Sequence, residues 1–298
     1  MRVFVTGASG WIGSAVVPEL IAAGHQPVGI ARSEESAEKL RSAGVEVRRG
    51  SLDDLESLRA GAQDADGVIH LAFKHDFSDF AGAGRTERAA LETFGQVLAG
   101  SHRPLLFASG LLGLAPGRVL TEADTSPAVG ANAPRGGAEE LALRIAERGV
   151  RTVALRFAPT VHGQGDAGFV TTLVETARAK GASGYVGDGG NRWPAVHRLD
   201  VASMVALALE KTPAGSTVHN AAEQGITARE IAGAIGRDLD LPTVSVAPDD
   251  AEQHFGWIGA FFGMDAPASS AITREVLGWT PTHPTLLEDL DAGRYHQH

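Results

Sequence analysis

Three glycines stand at intervals of three in Thr6-Gly7-Ala8-Ser9-Gly10-Trp11-Ile12-Gly13, directly after the short apolar run Arg2–Thr6. A strand that stops at a glycine and passes into a helix leaves unpaired N–H groups aimed at whatever lies above the turn. Gly7 permits the tight turn. Gly10 lets the backbone approach a pyrophosphate with no Cβ between them, and Gly13 lets the helix lie close to the strand. The chemistry implied is dinucleotide binding, with Thr6, Ser9, Trp11 and Ile12 sharing the turn. The next apolar run ends Ala31-Arg32-Ser33. A carboxylate at that point would suit a ribose 2′-hydroxyl, whereas a guanidinium and a hydroxyl suit a 2′-phosphate. NADP(H) is therefore the expected cofactor. Glu34 and Glu35, which follow, are expected to serve the N-terminus of the next helix.

Other reactive side chains are scattered. His70, His75, His162 and His197 show no His-x-x-x-His or Glu-x-x-His pairing on one helix, so no metal is expected. Cysteine is absent, which excludes disulfides and thiolate sites. Ser109 sits in Ala108-Ser109-Gly110, not in the Gly-x-Ser-x-Gly turn of a hydrolase nucleophile. His162 has the ordinary pKa range for a proton donor near neutrality. Lys74-His75-Asp76 is a second candidate. Arg192-Trp193-Pro194 could wall a substrate pocket, with His75 at its edge and Trp193 as an apolar face. Phe255, Trp257, Phe261 and Phe262 form either a lid, a subunit contact or a small core. Residues 295–298 read as a frayed end.

The elements that must position these residues alternate. Arg2–Thr6 reads as a strand and 11–23 as a helix closed by Gly24. Gln26–Ala31 is a strand and 34–43 a helix closed by Gly44. The segments 45–49, 52–59 and 67–72 continue the alternation, followed by a long helix over 80–99. A strand at 104–109, a helix at 137–148 and a strand at Arg151–Phe157 complete it. This pattern predicts an α/β fold: a doubly wound parallel Rossmann sheet with a small C-terminal substrate lobe. The dinucleotide-binding domain is placed at 1–157, with 200–220 returning to it, and the substrate lobe at 158–298. Helices are expected at 166–180, 200–210, 227–239, 251–262 and 269–276, with an extended piece at 185–187.

The motifs resemble those of the extended short-chain dehydrogenase/reductase family, which includes nucleotide-sugar epimerases and dihydroflavonol reductases. The resemblance spans nearly the whole chain. The Gly-x-x-Gly-x-x-Gly spacing is followed by His70-Leu71-Ala72, by Phe107-Ala108-Ser109-Gly110, by 156–163 and by Gly187-Asp188-Gly189 with 193–200. It implies that Ser51 and Leu52 edge the adenine and that Leu71, Ala72, Phe73 and Lys74 line the cofactor. It also implies that Ser109 is the catalytic serine beside the cofactor and that Pro159, Thr160 and Val161 lie near the nicotinamide. The family's Tyr-x-x-x-Lys pair is missing. Residues 128–147 hold neither tyrosine nor lysine, and aligning Glu139 with the family's later glutamate puts Ala131 and Arg135 at the two positions. The chain's two tyrosines are Tyr185 and Tyr295.

The expected function is NADP(H)-dependent reduction of a small, largely apolar carbonyl or imine, with Ser109 and His162 as candidate catalytic residues. An iminium needs little proton donation, which suits a centre without Tyr and Lys. A non-catalytic NADP(H)-binding sensor is the alternative, and an epimerase or dehydratase the third. The chain has 298 residues, 43% hydrophobic and 21% charged, with a net charge of -10. Nucleic acid is not an expected partner of so acidic a surface. No signal peptide and no apolar run of about 18 residues is present, so a cytoplasmic enzyme of small molecules is expected, with a homodimer as the candidate assembly.

Overall fold

The computed structural model describes residues 1–74 and 79–295. The chain runs β1 (Arg2–Thr6), α1 (Gly13–Ala22), β2 (Gln26–Ala31), α2 (Glu34–Ser42), β3 (Glu46–Arg49), α3 (Leu55–Gln63), β4 (Gly67–His70), α4 (Phe80–Leu98) and β5 (Pro104–Gly110). It continues α5 (Ala138–Glu147), β6 (Arg151–Phe157), β7 (Thr160–His162), α6 (Phe169–Lys180), β8 (Ser183–Val186), β9 (Arg192–His197), α7 (Arg198–Lys211), β10 (Ser216–Asn220) and β11 (Glu223–Thr227). Last come α8 (Ala228–Leu239), β12 (Thr243–Val246), α9 (Ala251–Phe255), α10 (Gly259–Phe262), α11 (Ala271–Leu277) and α12 (Leu286–Asp291).

Seven parallel strands form one sheet in the order β10-β6-β5-β4-β1-β2-β3. Along β1 the side chains alternate: Val3 and Val5 join the core under α1 and α7, and Phe4 joins the core under α4 and α5. Both faces are apolar and both are covered, as a doubly wound sheet requires. The order reverses at β1, between β2 and β4, so a crevice opens above the carboxyl ends of β1 and β4. The glycine turn leaves β1 at that point. Among the described residues, no helix is long and apolar enough to cross a membrane.

β10 lies beside β6, and α7 packs on α1, so residues after β9 come back to the sheet. The strand was missed in the sequence because its Ser-Thr-Val-His-Asn is polar. One of these polar groups is satisfied by distant partners: His219 is fully buried, its Nδ1 2.7 Å from the Ser269 carbonyl and its Nε2 3.2 Å from Arg156. β9 was missed because a proline interrupts it. Its pairing with β11 shifts register between Glu223 and Ile226, opposite the stretch that contains Pro194.

The small lobe packs α6, α8, α9, α10 and α12 around the β11-β9-β7 sheet and the β12-β8 pair. Trp193 fills its centre. It is 1% exposed, with Phe169 and Phe262 rings 5.6 and 5.2 Å away, and its indole N–H donates to the Met264 carbonyl. The expectation that Trp193 walls a substrate pocket is therefore replaced: its large apolar ring is the lobe's core. Arg192 points the other way and is forked onto Asp265 at 3.0 and 2.9 Å. Phe255 and Phe262 are buried in the same core, while Trp257 is exposed. The frayed end is also corrected: Tyr295 is buried, and its hydroxyl donates to Asp166 at 3.1 Å. Burial and the Asp166 carboxylate push its pKa up. Trp193→Ala is expected to destabilise the fold by about 3–5 kcal/mol, read as a lower urea midpoint.

Candidate functional site

The turn after β1 is built around contacts that only glycine allows. Gly7 has φ +72°, and a Cβ there would lie 2.7 Å from the Ala72 nitrogen. A Cβ on Gly13 would lie 2.1 Å from the Gly7 carbonyl oxygen. These two glycines are required by the protein's own packing. Gly10 is different. Its amide donates to the Gly7 carbonyl at 3.0 Å, yet a Cβ there would meet only that oxygen, at 3.2 Å. Its exposed face above the turn is left for something outside the chain. Trp11 ties the turn to the far wall: its indole N–H donates to the Val161 carbonyl at 2.8 Å, and the Arg198 guanidinium lies 4.0 Å over its ring. Ser9 and Ile12 are partly exposed on the same turn. Thr6 is buried and faces inward, accepting the Ala72 N–H at 3.2 Å.

At the end of β2, Arg32 is exposed and has no ion pair or hydrogen bond among the described residues. Ser33 caps α2, its hydroxyl oxygen accepting the Ser36 N–H at 3.1 Å. Glu34 pairs with Arg41 and Glu35 with Lys39, and these partners lower both carboxyl pKa values. The two glutamates thus serve α2, leaving Arg32 as the free charge at this corner. Ser51 and Leu52 are partly exposed beyond β3. The strand β4 leads into Leu71, Ala72, Phe73 and Lys74, all partly exposed, with the Lys74 ammonium on Asp53. Pro159 and Val161 are partly exposed after β6, whereas Thr160 is buried and donates to the Pro194 carbonyl. His75 lies outside the described residues.

Neither candidate catalytic side chain is free. Ser109 Oγ donates to Glu139 Oε1 at 2.6 Å. Glu139 is also forked by the fully buried Arg156, at 2.9 and 2.6 Å. With no substrate bound, the hydroxyl of Ser109 is directed to Glu139, so meeting a substrate oxygen would require it to turn from that carboxylate. His162 is buried to 0% exposure, its Nδ1 2.7 Å from Asp289 Oδ2 and its Nε2 3.9 Å from Glu223. A ring without an exposed atom does not meet a substrate, so the proton-donor expectation is corrected. The polar grouping around it links β7, β9 and α12. His197 packs 5.4 Å from His162 and stacks on His283, which holds Asp200 at 2.8 Å.

Sequence reasoning missed Arg135 as a site residue, having placed it only by alignment. Its guanidinium lies 4.1 Å over the Phe73 ring, and Nη2 donates to the Ala108 carbonyl at 2.9 Å. It therefore stands at the carboxyl ends of β4 and β5. The signal available was its position four residues before Glu139.

A glycine turn at the switch point of a doubly wound sheet, opening on the ends of β1, β4, β5 and β6, defines a dinucleotide-binding protein of the Rossmann class. The NAD(P)H-binding family model matches residues 7–99. An uncharacterised protein of Schizosaccharomyces pombe is 48% identical over 296 residues, 99% of this chain and 100% of its own. A 4-hydroxy-2-methyl-3-oxo-4-farnesyl-3,4-dihydroquinoline-1-oxide ketoreductase of Stigmatella aurantiaca is 30% identical over 225 residues, 72% of this chain and 66% of its own. The UDP-glucose 4-epimerase of Thermotoga maritima, solved with UDP-glucose, superposes with a TM-score of 0.75 at 20% identity, over 100% of this chain and 99% of its own. The chain thus carries an NAD(P)H-binding segment and has the fold of extended short-chain dehydrogenase/reductases of the NAD-dependent epimerase/dehydratase type.

Two outcomes follow from this geometry. Gly10→Ala should lower the melting temperature by less than Gly13→Ala, whose Cβ would lie 2.1 Å from the same oxygen, and weaken NADPH binding by about tenfold or more, roughly 1.4 kcal/mol, in a fluorescence titration. His197 is pushed down to about 4 from its ordinary 6.5, chiefly by burial. The folded protein then takes up that proton later than the unfolded chain, so its contribution to stability is full above pH 6.5 and is lost as pH falls toward 4. His197→Asn, whose amide oxygen can still cap α7, should show a smaller loss of urea midpoint between those two pH values.

Proposed function

We propose that the protein is an NADPH-dependent reductase of a small, largely apolar carbonyl or imine compound. The observation that carries this reading is the open face of Gly10 at the head of α1 together with the unpaired Arg32 at the end of β2. Backbone N–H groups at the turn suit a pyrophosphate. Arg32 suits a 2′-phosphate, which NAD(H) lacks. Ser51 and Leu52 edge the adenine, and Leu71, Ala72, Phe73, Pro159 and Val161 flank the nicotinamide. When bound, the reduced nicotinamide supplies two electrons and a hydrogen as hydride. The residues of the chain orient it, keep water from it and hold the acceptor in place. Phe73, Trp11 and Val161 offer apolar surface, which supports an apolar substrate. The Stigmatella relative, a ketoreductase by name, supports the reaction class.

A second reading, an NADP(H)-binding sensor without turnover, is favoured by one observation: Ser109 Oγ and His162 Nδ1 are each engaged by a carboxylate of the protein itself. Purified protein with NADPH and a panel of ketones and cyclic imines separates the two, followed by loss of the reduced nicotinamide absorbance. Turnover supports the reductase. Tight NADPH binding with no consumption across the panel supports the sensor.

NADPH is expected to bind more tightly than NADH, by about tenfold or more for a charge-assisted contact worth roughly 1.5–3 kcal/mol. Arg32→Ala should remove most of that preference and leave NADH affinity unchanged. Equal affinity for the two cofactors in the unmodified protein would sink the NADP assignment.

A further inference from the structure

Beneath the carboxyl ends of β1, β4 and β5 runs a line of polar groups. Thr6 Oγ1 lies 2.6 Å from His70 Nδ1. His70 Nε2 stands 3.4 Å from Glu87 Oε2, and both side chains are fully buried. Glu87 Oε1 stands 3.7 Å from Arg135 Nη2. Among the described residues, neither Glu87 oxygen, nor His70 Nε2, nor Arg135 Nε makes a hydrogen bond. A carboxylate taken out of water without hydrogen bonds is costly, and the polar groups beside it, the His70 ring and the Arg135 guanidinium, offset that cost. Of those, Arg135 reaches the cleft: its side chain is 23% exposed, and Phe73 lies under the guanidinium.

The backbone fixes it there. Arg135 has φ +52°, in the left-handed region that non-glycine residues rarely occupy. Gly136 follows, and a Cβ on it would lie 2.3 Å from the Gly84 carbonyl oxygen. The turn is pressed onto α4 one helical turn from Glu87. Strain of this kind persists where the surroundings hold a side chain for a purpose.

We propose that Arg135 is the fixed cation of the reaction centre and that its partner is the carbonyl oxygen of the substrate. The inference rests on the reductase reading and narrows it to carbonyl compounds. A guanidinium stays protonated at every working pH, so it does not serve as the acid. It supplies donors and charge to an oxygen on which negative charge develops. As hydride adds to the carbonyl carbon, the C=O π pair moves onto oxygen beside Arg135, and water returns the proton. An iminium ion enters with a positive charge and ends neutral, so the same guanidinium opposes its binding and does nothing for its reduction. Glu87 is a positioning residue that holds the guanidinium over Phe73.

The test compares the unmodified protein with R135M, R135K and E87Q. NADPH affinity is read by fluorescence titration, together with ketone turnover and its recovery on adding guanidinium chloride at non-denaturing concentration. R135M is expected to keep NADPH affinity and lose about 100-fold in kcat, with guanidinium ion restoring part of the loss. R135K, which keeps a charge and carries the test should R135M not fold, is expected to lose turnover above about pH 10 as lysine deprotonates, where the unmodified protein is flat. E87Q is expected to lower kcat with KM and NADPH affinity unchanged, and E87D to recover part of it. Full ketone turnover in R135M, or a loss that guanidinium ion does not relieve, overturns the role of Arg135. Faster reduction of cyclic imines than of ketones overturns the substrate class. Failure of the reductase reading is seen separately, in unmodified protein that binds NADPH and reduces nothing, and the proposal then falls with it.

Discussion

The contact on which the rest depends is the absence of a Cβ between Gly13 and the Gly7 carbonyl. It lets α1 start directly over the turn that leaves β1. A side chain at either position would lift the helix off the strand and move its N-terminal N–H groups away from the crevice. From that seating follow the placement of Trp11 and its bond to Val161, and the stacking of Arg198, the first residue of α7, over the indole. The turn therefore joins the β1–α1 corner to the β6–β7 wall as well as forming the floor of a nucleotide site. Gly10 is the glycine that the protein's own packing constrains least, its Cβ position 3.2 Å from the Gly7 carbonyl oxygen and otherwise open.

What could be read in the sequence was what short-range rules govern. β1, β2 and β6 were bounded by their apolar runs, and α1 and α2 by Gly24 and Gly44, because a buried strand and a helix C-terminus each leave a local signature. Glu34 and Glu35 could be placed in the first turn of α2 for the same reason, whereas Ser33, expected at a 2′-phosphate, is the residue that caps that helix. β9 and β10 could not be read: a proline inside one and buried polar residues along the other make sense only with their distant partners present. The roles of Ser109 and His162 were misread on that account too. Glu139 lies 30 residues from Ser109, and Asp289 lies 127 residues from His162. Nothing in the local sequence announces that those carboxylates will take their protons.

The buried ionic groups divide the labour between fold and chemistry. Arg156 is fully buried, and its donors reach Glu139, the Asp124 carbonyl and His219, joining β6, α5 and β10 with the loop at Asp124. Asp289 and Asp200 do the same for the small lobe through His162 and His283. Removing one partner from such a group strands the other, at a cost of about 3–5 kcal/mol. In the small lobe His162 Nε2 has no hydrogen-bond partner among the described residues, whereas the Arg156 network is saturated. The line from Thr6 through His70 and Glu87 to Arg135 is not: beyond the Thr6–His70 contact its polar atoms stand 3.4 and 3.7 Å apart with unused hydrogen-bonding capacity.

That contrast bears on the kind of reaction the centre can support. A positioned general acid contributes roughly 10²–10⁴ in rate, and the segment where the family carries its tyrosine and lysine has neither residue. A fixed guanidinium recovers part of that by stabilising negative charge, but it leaves the proton to come from water. The reaction then depends on how stable the alkoxide is before it is protonated. Carbonyls flanked by electron-withdrawing groups form the more stable alkoxide and need the acid least, whereas simple dialkyl ketones need it most. With Arg135 in the role proposed for it and no general acid beside it, such a centre would favour activated ketones, and the apolar surface of Phe73, Trp11 and Val161 would favour apolar groups next to them.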